Sequence, residues 1–191
     1  MNPLVGHFIT GKAFYCGDHV NTDVISPGRY EPYDGPEHLA RCALIDYETD
    51  PPFVDLHTGK SPFKVIIAGY EFGCGSSRET APQALHYAGA EAVIARSFAR
   101  IFFRNCINLG LIIPIQYDHS FDTAILGQTV EIDVAAHTFT VGGHTHTFKG
   151  FGPLVPIIAA GGLIPYTRLR LKGETPRVWA PKPTLPDQTP P

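Results

Sequence analysis

"KVIIAGYEFGCGSSRETAPQALHYAGAEAVIA", residues 64–95, sets the architecture of the chain. It opens on an apolar run, residues 64–69, that is rich in β-branched side chains and suited to a strand buried on both faces. A glycine-rich loop follows, then "TAPQALHYAGA", which reads as a helix stopped by Gly89. "AVIA", residues 92–95, is a second buried strand. Beyond it, Ser97 is placed to cap "FARIFFRNCINL", Gly110 stops that helix, and "LIIPI" closes the series. Strand, helix, strand, helix, strand predicts parallel pairing with right-handed crossovers.

Further along, "TVEIDVAAHTFTVGGHTHTFKGF" alternates apolar and polar residues around short turns, which predicts antiparallel hairpins. "PLVPIIAAGG" reads as a last short helix. The expected class is α/β, a parallel βαβαβ core with added antiparallel hairpins. One domain over residues 1–175 is expected. "APKPTLPDQTPP", with five prolines in twelve residues, falls in an expected Pro-rich, disordered tail over 176–191.

Composition narrows the function. At 191 residues the chain buries a core large enough to need neither metal nor disulfide. Net charge is −3 and the basic residues are scattered, which argues against a nucleic-acid surface. Cys16, Cys42, Cys74 and Cys106 are too far apart for a zinc knuckle, a redox pair or a cluster motif. No run has the length of a signal peptide or a membrane span, so a cytoplasmic setting with reduced thiols is expected.

The loop "GCGSSRET" carries the chemistry. Two capping boxes compete there, Ser76 with Glu79 and Thr80 with Gln83. Pro82 belongs in a first turn, which favours Thr80 as the cap and leaves Ser76, Ser77 and Arg78 on the loop. Such a loop lies at the carboxyl end of a strand, where open α/β sheets bind ligands. Gly73 and Gly75 allow close backbone approach to an anion, and Arg78 offers a planar donor fork for a carboxylate. The bland alternative is that the serines satisfy backbone groups while Arg78 makes a surface ion pair. A second polar loop, "GDHVNTDVISPGRY", holds Asn21, Thr22 and Asp23 and reads either as an Asx turn or as a site for an orienting aspartate.

"NTDVISPGRY", "FGCGSSRETAPQAL", "AVIARSFARIFFRN" and "NLGLIIPI" occur here in one order, and together they resemble the small-subunit family of the 3-isopropylmalate dehydratases. More broadly they resemble the swivel domain of the aconitase superfamily, over roughly residues 8–170. The resemblance implies a β/β/α swivel fold and dehydration and rehydration of a 2-hydroxy acid. It implies no cofactor on this chain, and a 4Fe-4S cluster on a separate large subunit. It also implies Ser76 as catalytic base, Ser77 and Arg78 as substrate contacts, and Asp23 as the residue orienting a histidine of that partner. Thr22 and Ser26 are expected to line the same pocket. Thr80 departs from the histidine common in the family. Cys74 is expected only to fit the turn.

In that family, the loop after "PGRY" lies over the group that distinguishes substrates. Here it reads "EPYDG": Glu31 and Asp34 repel an extra carboxylate, while Pro32 and Tyr33 offer an apolar wall. A 2-alkylmalate is therefore favoured over a tricarboxylate. Homoaconitase, aconitase-like and dimethylmalate dehydratase subunits remain alternatives, as does a stand-alone carboxylate-binding regulatory module. Arg29 either binds a carboxylate or braces the turn. His144 and His146 share one face of a predicted hairpin and read as solvated residues, with a metal site as the sharper alternative.

Overall fold

The computed structural model describes residues 8–174, so the expected tail 176–191 lies outside the described residues. Seven strands form one sheet: β1 (Phe8–Tyr15), β2 (Phe63–Ala68), β3 (Ala92–Ala95), β4 (Ile113–Gln116), β5 (Thr129–Asp133), β6 (Thr138–Val141) and β7 (His144–Thr147). Their order is β4-β3-β2-β1-β5-β6-β7. From β1 to β4 every pairing is parallel, and from β1 through β7 every pairing is antiparallel. The helices are α1 (Thr22–Ile25), α2 (Gly35–Arg41), α3 (Thr80–Ala88), α4 (Arg100–Leu109), α5 (Val155–Ala159) and α6 (Leu163–Leu171). Among the described residues no helix is long and apolar enough to cross a membrane.

The parallel strands read as unbroken apolar runs because both of their faces are covered. Ile66, Ala68, Val93 and Ala95 pack with Phe14 against Leu39 and Ala40 of α2, Ala84 and Leu85 of α3, and Phe102 of α4. Val65, Ile67, Ile94 and Ile115 face the other way, into a core with Val130, Ile132, Phe139, Phe148 and Ile158. The sheet curls into a half-barrel. Tyr117, just past β4, meets Phe139 of β6 edge-on at 5.0 Å, and its hydroxyl bonds His146 Nδ1 of β7 at 2.7 Å.

The parallel core and the hairpins stand as the sequence predicts, with Gly89 and Gly110 ending their helices at φ values of 120° and 65°. Three expectations are corrected. Ser97 does not cap α4: its Oγ accepts from the Glu71 amide at 2.9 Å, and the cap position is Ala99. Thr80 is the first residue of α3 rather than its cap, which is Glu79, and the Thr80 hydroxyl accepts from Ser26 Oγ at 3.1 Å. The carboxyl end of the fold holds α6 as well as the predicted short helix.

β1, the strand joining the two halves, carries no clean pattern. Gly11 and Lys12 interrupt its alternation, and its register to β2 shifts between Lys12 and Ala13. Gly11 is required there, because a Cβ would lie 2.5 Å from Lys64 Cβ.

Phe14 on β1 is fully buried, with its ring centroid 5.1 Å from Phe53 and 5.2 Å from Phe63. Phe14→Ala is expected to lower stability by about 3–5 kcal/mol. Urea denaturation checks this, and a loss below about 1 kcal/mol would contradict a central role for the strand.

Burial holds the imidazole of His86, on α3, below its ordinary pKa, and the same cause acts on His146. The unfolded chain therefore binds protons first, so stability falls as pH drops through about 6.5, the ordinary histidine value. The urea midpoint is expected to decrease between pH 7.5 and 5.5, and His86→Gln to flatten that decrease in part. Parallel pH profiles for the two proteins would refute this.

Candidate active site

Beyond the ends of β1 and β2 the chain stays paired, and this pairing builds the site. Cys16 N–H donates to the Ile67 carbonyl at 2.8 Å, His19 N–H to Tyr70 at 2.7 Å, and Gly73 N–H to Val20 at 2.8 Å. Thr22 N–H then donates to the Cys74 carbonyl at 2.8 Å. On the opposite side, Phe72 exchanges two 3.0 Å backbone bonds with the segment after β3, to Ser97 and from Ala99. The glycine loop is thus the middle one of three loops at the carboxyl edge of the sheet.

Both glycines of the loop are obligatory. Gly73 has φ +79°, and a Cβ there would lie 2.2 Å from Cγ of Phe102. Gly75 has φ +90°, and its Cβ would meet Asn21 Oδ1 at 2.3 Å. The close approach sets Ser76, Ser77 and Arg78 immediately ahead of α3, where free amides and the helix dipole favour negative charge. Ser76 and Ser77 are exposed. The Ser76 carbonyl accepts from Thr22 Oγ1 and from the Arg78 amide, each at 3.0 Å, which fixes the backbone of the loop. Cys74 directs its thiol to the His19 carbonyl at 3.4 Å, a contact that serves the turn.

Arg78 is gripped from both sides. Nη2 pairs with Asp23 Oδ1, and Nη1 donates to Glu31 Oε1 at 3.0 Å. Gly28 makes room for the guanidinium, since a Cβ there would lie 2.8 Å from Nη1. Nε is buried without a partner among the described residues. Asp23 is itself located by Asn21, whose Oδ1 accepts the Asp23 amide at 2.8 Å and caps α1.

The remaining expected residues surround this centre unevenly. Thr22 and Ser26, expected to line the pocket, are 1% and 0% exposed, and their hydroxyls bond internally. Ser26 Oγ is 2.8 Å from Tyr33 Oη, which donates in turn to the Pro27 carbonyl at 3.1 Å. Tyr33 is thereby turned inward, and burial raises its phenol above the ordinary range, so it stays protonated. Arg29 is engaged by both oxygens of Asp46 and by Tyr30, the contacts of a residue bracing the turn. Its guanidinium holds the Asp46 carboxyl below the usual range. Pro32 and Asp34 are exposed, and the Asp34 amide donates to His38 Nδ1 at 3.0 Å. Neither the Glu31–Arg78 pair nor the space left by Gly28 is readable from sequence, since nothing local joins residues 47 positions apart.

Cys16, Cys42 and Cys106 are buried, and burial raises each of their thiols. Among the described residues, no group of three or more histidine, cysteine, aspartate or glutamate side chains is arranged to hold a metal ion. His144 is exposed, and His146 is taken by Tyr117 and stacks on Phe139.

Known proteins resemble this chain in sequence and fold. The family model of the aconitase C-terminal domain matches residues 45–120. A 3-isopropylmalate dehydratase small subunit of Thermodesulfovibrio yellowstonii is 40% identical over 170 residues, 87% of this chain and 97% of the relative. One from Metallosphaera sedula is 40% identical over 161 residues, covering 84% and 96% of the two chains. The crystal structure of a 3-isopropylmalate dehydratase from Methanocaldococcus jannaschii superposes with a TM-score of 0.74 at 40% identity, over 86% of this chain and 96% of that one. Identity of this order along nearly the whole of each relative shows that the chain belongs to the family of 3-isopropylmalate dehydratase small subunits.

Proposed function

We propose that this chain is the small subunit of a heteromeric hydro-lyase that interconverts 2- and 3-isopropylmalate, a step toward leucine, by removing and re-adding water. The observation that carries the reading is an exposed Ser76 on a loop fixed by Gly73 and Gly75, close in the chain to Arg78. The 4Fe-4S cluster belongs on the large subunit, where iron supplies Lewis-acid activation of the leaving hydroxyl.

On this chain, Ser76 Oγ takes the proton from the carbon next to a substrate carboxylate and returns it in the reverse direction. A serine is a poor base unless its anion is stabilised. The loop amides, the amino end of α3 and Arg78 together supply that stabilisation. Arg78 holds a substrate carboxylate with its planar fork, and Ser77 adds a hydroxyl beside it. Asp23 orients a histidine of the large subunit. Thr22 and Ser26 support the site from behind: one ties the Ser76 carbonyl, and the other links Tyr33 to Thr80. The loop 31–34 carries two acids and no cation, so a third substrate carboxylate is disfavoured and a 2-alkylmalate is preferred.

Ser76→Ala is expected to lower kcat of the assembled enzyme at least about 100-fold, with KM changed little. Because Ser76 is exposed, the variant should fold normally. Retained turnover would remove Ser76 from the chemistry. A wild-type complex that binds dicarboxylates yet turns over none would favour the regulatory carboxylate binder.

A further inference from the structure

The Arg78 fork holds two carboxylates of its own chain. One guanidinium shared between Asp23 and Glu31 carries a local charge of −1, which opposes an arriving dicarboxylate. The two acids are not equivalent. Asp23 is fixed in the first turn of α1 by the Asn21 cap. Glu31 follows the 3₁₀ turn Gly28–Tyr30 and contacts the guanidinium through Oε1 at 3.0 Å; it is 48% exposed, and Asp23, which also uses one oxygen, is 52% exposed. Glu31 has one more rotatable side-chain bond than Asp23, so its carboxylate leaves the guanidinium with the smaller rearrangement. Arg78 is 22% exposed, and its Nε is buried, so the covered Nη1 is the donor an incoming ligand must win.

We propose that Glu31 sets substrate affinity as an internal competitor: its carboxylate occupies Nη1 of Arg78 in the free chain and is displaced by a carboxylate of the substrate. This rests on the reading of Arg78 as the carboxylate clamp. The closed pair lowers the fraction of chains competent to bind, and apparent affinity falls by that fraction. A half-exposed ion pair of this kind accounts for about a two- to fivefold effect. Glu31 thus acts on the charge at the clamp itself, beyond its place over the substrate's distinguishing group.

The test uses Glu31→Gln, which keeps size and shape, in two measurements. In the assembled complex, KM for a 2-alkylmalate is expected to fall two- to fivefold with a smaller change in kcat. In the full-length small subunit alone, a dicarbonyl reagent specific for guanidinium groups is expected to modify Arg78 several times faster than in wild type, read by peptide mass spectrometry. Equal labelling rates would overturn the pair in solution. Faster labelling with an unchanged or raised KM would overturn the competition. A wild-type complex without turnover on any 2-hydroxy acid would count against the proposed function. The competition would then be decided by whether malonate protects Arg78 from the reagent more strongly in Glu31→Gln than in wild type.

Discussion

The parallel pairing of β1 with β2, carried past the strand ends into the loops, holds the site together. Strand pairing positions backbones, and here it continues for several residues after the side-chain pattern has stopped. The bonds from Gly73 to Val20 and from Thr22 to Cys74 bring two segments far apart in the chain into contact. Arg78 reaches Asp23, and Thr22 reaches the Ser76 carbonyl, because those backbones meet. Ile25 and Phe72, both fully buried, anchor the two segments, and Gly73 and Gly75 let them approach closely.

Two kinds of support surround this seam. Below it, the fully buried strands and the rings of Phe14, Phe53, Phe63, Phe72 and Phe102 form a rigid base. Beside it, buried hydroxyls of Thr22 and Ser26 tie the loops by short internal bonds, a use of polar groups that tolerates burial because each is satisfied. Above it lie the functional groups: two exposed serines and an arginine held by acids.

Much of this was legible in the sequence, for identifiable reasons. β2, β3 and β4 are covered on both faces and so appear as apolar runs, and Gly89 and Gly110 stop their helices by backbone conformation alone. Gly73 and Gly75 marked the site because no other residue fits there. β1 was hidden, since Gly11 yields its side-chain space to Lys64. α6 was hidden because none of its residues is buried, so no apolar stripe exists to read. Thr22 and Ser26 were expected on the pocket from the family resemblance; in the fold both are buried and their hydroxyls bond within the chain. The sharing of Arg78 between Asp23 and Glu31 had no local signal. It is set by tertiary contact across 55 and 47 residues.

Whether this chain supplies half of an active site is decided by anaerobic purification of the tagged chain from its source organism. Half a site requires co-elution with one larger polypeptide, iron and acid-labile sulfide in the eluate, and turnover of isopropylmalate by that complex. A chain that elutes alone, without iron and without turnover under the same gentle conditions, would contradict it.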